Sequence, residues 1–172
     1  ESATCTITNN DVAPKLHLRK VVVNDNGGTK TLADFTLTAN GAGTNDLSGT
    51  SPVDSGAGLK ADTFALSETT QPGYTASAWT CVGGTQSGSN ITVAIGGEAT
   101  CTITNDDQPG KIVVIKNAKP ASGSFAFQTT GIGYTNFTLQ GDPGASKANE
   151  NTQTLNAGSY TVKETTQLGW IL

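Results

Sequence analysis

Charge is scarce in this chain. Only 14% of its 172 residues are Asp, Glu, Lys or Arg, where a globular protein carries about a quarter. The Lys and Arg residues form no cluster and the formal net charge is −4, which argues against a nucleic-acid partner. No run of 18 apolar residues occurs, so no segment reads as a membrane-spanning helix. A single His and the absence of Cys-x-x-Cys leave no ligand set for zinc, and neither metal nor cofactor is expected. The same lack of a second His removes Ser-His-Asp and Cys-His arrangements, and paired carboxylates are not evident, so no enzymatic catalytic set is expected. Methionine and a signal peptide are both missing, so the sequence reads as a mature or excised piece whose export signal and anchor lie elsewhere.

Gly, Thr, Ser and Asn dominate instead, and they recur in order. Ala3-Thr4-Cys5-Thr6-Ile7-Thr8-Asn9 reappears letter for letter as Ala99-Thr100-Cys101-Thr102-Ile103-Thr104-Asn105, a spacing of 96. Ser67-Glu68-Thr69-Thr70-Gln71-Pro72-Gly73-Tyr74 returns at the same spacing as Lys163-Glu164-Thr165-Thr166-Gln167-Leu168-Gly169-Trp170. Lys20 and Lys116, each closing an apolar run, are also 96 apart. Self-similarity at a fixed period marks a tandem array. Residues 1–10 then read as the last strand of a preceding repeat, 11–107 as a complete repeat, and 108–172 as an incomplete following repeat lacking its final strands.

Alternating runs rich in Val, Ile, Thr and aromatics predict strands at 16–23, 34–39, 63–68, 74–81, 90–95 and 100–105, then at 111–116, 124–129, 134–139 and 160–164. Asn24-Asp25-Asn26-Gly27-Gly28, Asn40-Gly41-Ala42-Gly43, Gly56-Ala57-Gly58 and Gly83-Gly84 punctuate them as turns, the first as a hairpin. No helical period appears. Six or seven short strands in about 97 residues predict an all-β chain of tandem β-sandwich repeats in a linear array.

A Lys closing the first strand, a Glu in the phrase Glu68-Thr69-Thr70-Gln71-Pro72-Gly73-Tyr74, and an Asn closing Thr102-Ile103-Thr104-Asn105 together resemble the Cna B-type, or SpaA-like, prealbumin-like fold domains of bacterial pilins and surface adhesins. The paired cysteines and Val23-Asn24-Asp25-Asn26-Gly27-Gly28 resemble a disulfide-bearing branch found in long repetitive secreted bacterial proteins. The resemblance implies that Lys20 and Asn105 condense into an isopeptide bond with Glu68 as proton shuttle. It implies the same of Lys116 and Glu164 with Asn9 of a neighbouring unit or chain.

Strand parity supports that grouping from the residues themselves. Leu16, Leu18 and Lys20 share one face of their strand, as do Phe64, Leu66 and Glu68, and Cys101, Ile103 and Asn105. Ile112, Val114 and Lys116, then Tyr160, Val162 and Glu164, then Cys5, Ile7 and Asn9 repeat the pattern. Ionised side chains are rarely buried unless paired or chemically used. Low dielectric disfavours the charged forms of an amine and a carboxyl alike, which makes an amine nucleophilic and lets a carboxylic acid polarise an amide. A non-covalent Lys–Glu–Asn cluster, or a lysine whose stem packs while its ammonium reaches solvent, meets the same pattern.

The repeat assigns the cysteines. Cys81 and Cys101 fall in one unit and are expected to form a disulfide, which places the chain in an oxidising, extracellular setting; Cys5 matches Cys101 and has its partner outside the chain. His17 alternates away from the Leu16/Leu18 face and reads as a solvated strand residue. Asn24-Asp25-Asn26-Gly27-Gly28 could also be a calcium loop, but it lacks the downstream acidic ligand. Trp79, Trp170 and Tyr74 are either core or a sugar-binding platform, and Asn90-Ile91-Thr92 and Asn136-Phe137-Thr138 are glycosylation sequons.

Two functions fit. One is a structural repeat of an extracellular bacterial fibre, stalk or pilus-like filament, self-crosslinked and partnered by identical repeats or subunits. The other is an adhesin domain that grips a host, matrix or glycan ligand. Residues 3–9 are either the edge of a window on a longer chain or a strand donated to the next molecule, and both versions predict linear addition of β-strands.

Overall fold

The computed structural model describes residues 1–141 and 147–171. Residues 142–146 and 172, which fall in the expected third segment, lie outside the described residues. Two compact units are present: Glu1–Asn24 with Thr29–Asp106, and Asp25–Gly28 with the chain from Asp107 onward.

The first unit holds ten strands. They are β1 (Lys15–Val23), β2 (Leu37–Asn40), β3 (Leu47–Gly49), β4 (Val53–Asp54), β5 (Asp62–Glu68), β6 (Tyr74–Ala76), β7 (Thr80–Gly83), β8 (Thr85–Ser87), β9 (Asn90–Val93) and β10 (Glu98–Asp107). One sheet runs β4-β1-β10-β6, with β7 also on β10; the other runs β3-β2-β5-β9-β8. The β1–β10 pair is parallel, and it sets Leu18 beside Cys101, Lys20 beside Ile103 and Val22 beside Asn105. Alternation decides which atoms are sealed. Leu16 and Leu18 of β1, Leu37 and Ala39 of β2, Phe64 and Leu66 of β5, Ile91 and Val93 of β9, and Cys101 and Ile103 of β10 form one apolar core.

Several expected boundaries move. The run 74–81 is two strands, because the ladder on β10 breaks at Ser77–Trp79, where Ser77 exchanges backbone and hydroxyl bonds with Thr104 and Trp79 is buried in the core. The run 34–39 starts late, since Leu32–Asp34 make a 3₁₀ turn stapled by the Asp34 carboxylate on the Thr31 amide. Asn24–Gly28 is not a hairpin turn: β1 and β2 lie in different sheets. Residues 1–10 form no strand and every one of them is exposed, because a strand needs a paired neighbour and none among the described residues pairs with them.

The second unit contains β11 (Gly110–Ile115), β12 (Ser124–Thr130), β13 (Phe137–Gln140), β14 (Glu150–Leu155) and β15 (Thr161–Glu164). Here β11 pairs with β14, and β13-β12-β15 form a second sheet. The partnering follows that of the first unit, with β11 and β14 in the roles of β1 and β4, and β13, β12 and β15 in those of β3, β2 and β5. β14 was absent from the expected strands because its Glu-Asn-Thr-Gln-Thr sequence has no apolar alternation; its ladder with β11 makes it a strand. Ala118, Phe125, Phe127 and Leu139 are its buried core.

Candidate functional site

Lys20 and Glu68 meet across the sandwich. Lys20 shares the inward parity of Leu16 and Leu18 on β1, and Glu68 ends β5 in the facing sheet, opposite Leu37 of β2. Lys20 Nζ donates to Glu68 Oε2 at 2.6 Å, with side chains 0% and 7% exposed respectively. The Phe35 ring, fully buried, lies under the ammonium with its centroid 4.5 Å from Nζ. Burial holds the Lys20 pKa below its ordinary value, and the hydrogen bond and charge of Glu68 oppose that only in part. Ser51 Oγ accepts the Lys20 backbone amide at 2.9 Å and fixes the strand where it carries the amine.

Asn105 lies on the neighbouring strand. Parallel pairing puts it on the strand next to Lys20, two residues further along and on the same face. It is 2% exposed, and its Oδ1 is buried without a hydrogen-bond partner. A buried amide oxygen left unpaired costs on the order of 1–3 kcal/mol, so its persistence needs an explanation. The set thus combines an amine with a lowered pKa, a carboxyl group bonded to it, and a sealed carboxamide whose oxygen is unused. Those are the components of amide formation with loss of ammonia.

The second unit holds a similar pair. Lys116 Nζ lies 2.8 Å from both Glu164 oxygens, with side chains 16% and 13% exposed, and the Phe125 ring centroid is 4.1 Å from Nζ. Asn9, expected to serve this pair from another unit or chain, is exposed in the first ten residues. The phenylalanine beneath each lysine escaped the sequence reading. A signal was present: Leu37 faces Glu68 and Phe127 faces Glu164, and a Phe stands two residues before each. That match runs at a spacing of 90 rather than 96, because the connection after the first strand is shorter in the second unit.

Cys81 and Cys101 stand opposite one another on antiparallel β7 and β10 and are joined, with S–S 2.05 Å; Cys5 is free and exposed. His17 is held rather than freely solvated, with Nδ1 2.5 Å from Asp54 and Nε2 3.3 Å from Glu98. His17 and then Arg19 hold the Asp54 carboxyl below its usual range. Trp79 belongs to the core, the Tyr74 hydroxyl bonds Asn24 and accepts the Lys30 amide, and Trp170 sets its edge against Phe125. These aromatics do not make an exposed platform. In the loop read as a possible calcium site, the backbone amides of Asn26 and Gly28 bond the Asp107 carboxylate. Burial alone would raise the pKa of that carboxyl, but these amides hold it low.

The prealbumin-like fold domain family matches residues 11–103. No curated protein sequence matches the chain. Among solved structures, the Bacillus anthracis TIE protein is similar in fold, with a TM-score of 0.50 and 17% identity over 90% of this chain. That similarity spans 28% of the TIE chain, so the sequence covers less than a third of that protein's length. No helix among the described residues is long and apolar enough to cross a membrane.

Proposed function

The chain belongs to the prealbumin-like fold domain family, and from that premise we propose that it is a structural repeat of an extracellular bacterial surface fibre, stalk or pilus-like filament. Its first unit is closed by an isopeptide bond between Lys20 and Asn105, promoted by Glu68, and by the Cys81–Cys101 disulfide. One observation carries the reading: a sealed Lys20–Glu68 pair beside an Asn105 whose buried carbonyl oxygen has no partner. The disulfide supports an oxidising, extracellular setting.

Lys20 reacts as the neutral amine, which burial favours. Its Nζ attacks Asn105 Cγ, the Cγ–Nδ2 bond breaks, and ammonia leaves. Glu68 takes the proton that the amine sheds and delivers it to the departing nitrogen. No oxidant, metal or cofactor enters the balance. The product links β1 to β10, the parallel pair at the centre of its sheet, so a pull along the chain meets a covalent bond before it meets hydrogen bonds.

Single-molecule pulling of the chain tests this reading. A bond from residue 20 to residue 105 hides about 85 residues, so the first unit should release roughly 300 Å less contour length than a free chain would. A shortfall of only about 70 Å, the length that the Cys81–Cys101 bridge alone hides in the oxidised chain, would contradict the Lys20–Asn105 bond. The adhesin alternative makes a different demand, saturable binding in a glycan or matrix-protein screen, and no exposed aromatic cluster among the described residues favours it.

A further inference from the structure

We infer that residues 77–89 form a cover over the proposed crosslinking site, that the Cys81–Cys101 disulfide is its latch, and that closing the latch speeds the Lys20–Asn105 condensation. The inference rests on the isopeptide reading and adds redox control to it. The cover crosses one side of the first unit, since β7 belongs to one sheet and β8 to the other. Its two ends are fastened next to the reacting groups. At one end the Ser77 amide donates to the Thr104 carbonyl at 2.8 Å and Ser77 Oγ accepts the Thr104 amide at 3.1 Å, one residue before Asn105. At the other, the Ser89 carbonyl accepts the Leu66 amide at 2.7 Å, two residues before Glu68.

Between those ends the cover is tied to itself but grips the body lightly. Gln86 Oε1 accepts the Cys81 amide, and its Nε2 donates to the Trp79 and Gly88 carbonyls. Every residue of 77–89 except Trp79 and Cys81 is exposed. The attachments to the body are the short β7 ladder on Ala99–Thr102, the three-residue β8 on β9, Trp79 in the core, and the disulfide. A groove of about 650 Å³ runs alongside, with Leu66, Ile103 and Trp79 as its apolar lining. Leu66 and Ile103 are the inward neighbours of Glu68 and Asn105 on their own strands, so the groove ends one side chain short of the site.

A segment with few buried contacts opens more readily than the fold as a whole. An open cover lets water reach Glu68 and Asn105 along the groove, and hydration favours the ammonium over the neutral amine that attacks. Closing the latch joins the two Sγ atoms, and two electrons and two protons pass to an external disulfide oxidant. The latch pins β7 to β10, the strand that carries Asn105, and keeps the site dry.

A chain synthesised into denaturant and diluted into folding buffer starts unlinked. Intact mass after a denaturing quench and reduction then follows the loss of about 17 Da. The oxidised wild type should condense about tenfold faster than the same chain kept in a phosphine reductant, or than Cys81→Ser, a difference of about 1.4 kcal/mol in barrier. Hydrogen exchange of the folded wild type supplies the local readout, since reduction should accelerate the amides of 79–87 more than those of β1 and β5. Equal condensation rates with and without the latch would overturn the cover and leave the Lys20–Asn105 bond standing. Equal acceleration of exchange in every strand, the mark of a unit that merely unfolds, would do the same. An oxidised wild type that never loses the mass would overturn both.

Discussion

Lys20 Nζ sits 2.6 Å from Glu68 Oε2 with neither side chain in contact with bulk solvent to any useful extent. Across the mostly apolar core, the two sheets are joined at this point by an amine and a carboxyl group. Such pairs add little to stability by themselves, because desolvation cancels most of their attraction. The isopeptide bond proposed with Asn105, whose buried Oδ1 has no hydrogen-bond partner, would give their placement in a core a chemical use.

Breaking the pair should cost far more than replacing it. In an Asn105→Ala background, where no link can form, Glu68→Ala strands a buried amine and is expected to lose about 3–5 kcal/mol in urea unfolding. The Lys20→Met/Glu68→Leu double variant should be within about 1 kcal/mol of its parent or more stable, since it trades charges for packing. Equal losses in the two would show that the pair is not acting as a buried ion pair.

Much of this was legible in the sequence. Alternation in Leu16-x-Leu18-x-Lys20 and Cys101-x-Ile103-x-Asn105 is enough to put each polar residue on a core face, since strand parity is fixed by backbone geometry. The 96-residue spacing likewise separates Cys81 and Cys101 from Cys5. Strands β3, β4, β8 and β14 were not legible: their residues are mostly Ser, Thr, Gln, Asn and Gly, and they are strands because a neighbouring edge supplies hydrogen bonds. Phe35 was missed for a related reason, being placed beneath Lys20 by a turn rather than by strand periodicity.

Reducing the disulfide should destabilise the first unit measurably. The bridge closes a separation of 20 residues, for which chain entropy gives about 3 kcal/mol. Calorimetry with and without a phosphine reductant should show a fall in Tm of roughly 10–25 °C. Thiol labelling of the folded oxidised chain should find one reactive cysteine, Cys5. Three labelled thiols would contradict the bridge.

Glycine is required at Gly83 for two reasons at once. Its φ is +81°, and a Cβ there would meet the Glu98 carbonyl oxygen at 2.2 Å. Gly88 has a similar φ of +60° but open space around it. Gly83→Ala should cost about 1–3 kcal/mol more than Gly88→Ala, in which only the left-handed conformation is penalised. Matching losses in denaturant titrations would remove the steric part of this account.

Acid should weaken the fold through Asp62. Its carboxylate accepts the Ala42 amide at 2.6 Å, the Asn45 side-chain amide at 3.0 Å and the Thr63 amide at 2.8 Å. The Ala42 amide first, then Asn45 and Thr63, hold its folded-state pKa below the ordinary 3.8. A depressed carboxyl contributes stability that is present above 3.8 and lost as pH falls through the lower folded-state value. Thermal midpoints below about pH 4 should therefore fall more steeply for the wild type than for Asp62→Asn. Parallel curves would show that these bonds do not depend on the ionised form.

Intact-mass spectrometry of the reduced, denatured chain tests the central claim most directly. The account predicts a mass about 17 Da below that of the sequence, the ammonia lost when Lys20 and Asn105 condense, and restoration of the full mass in Glu68→Ala. A wild-type chain at its full sequence mass would contradict the isopeptide bond and leave Lys20, Glu68 and Asn105 as a non-covalent cluster.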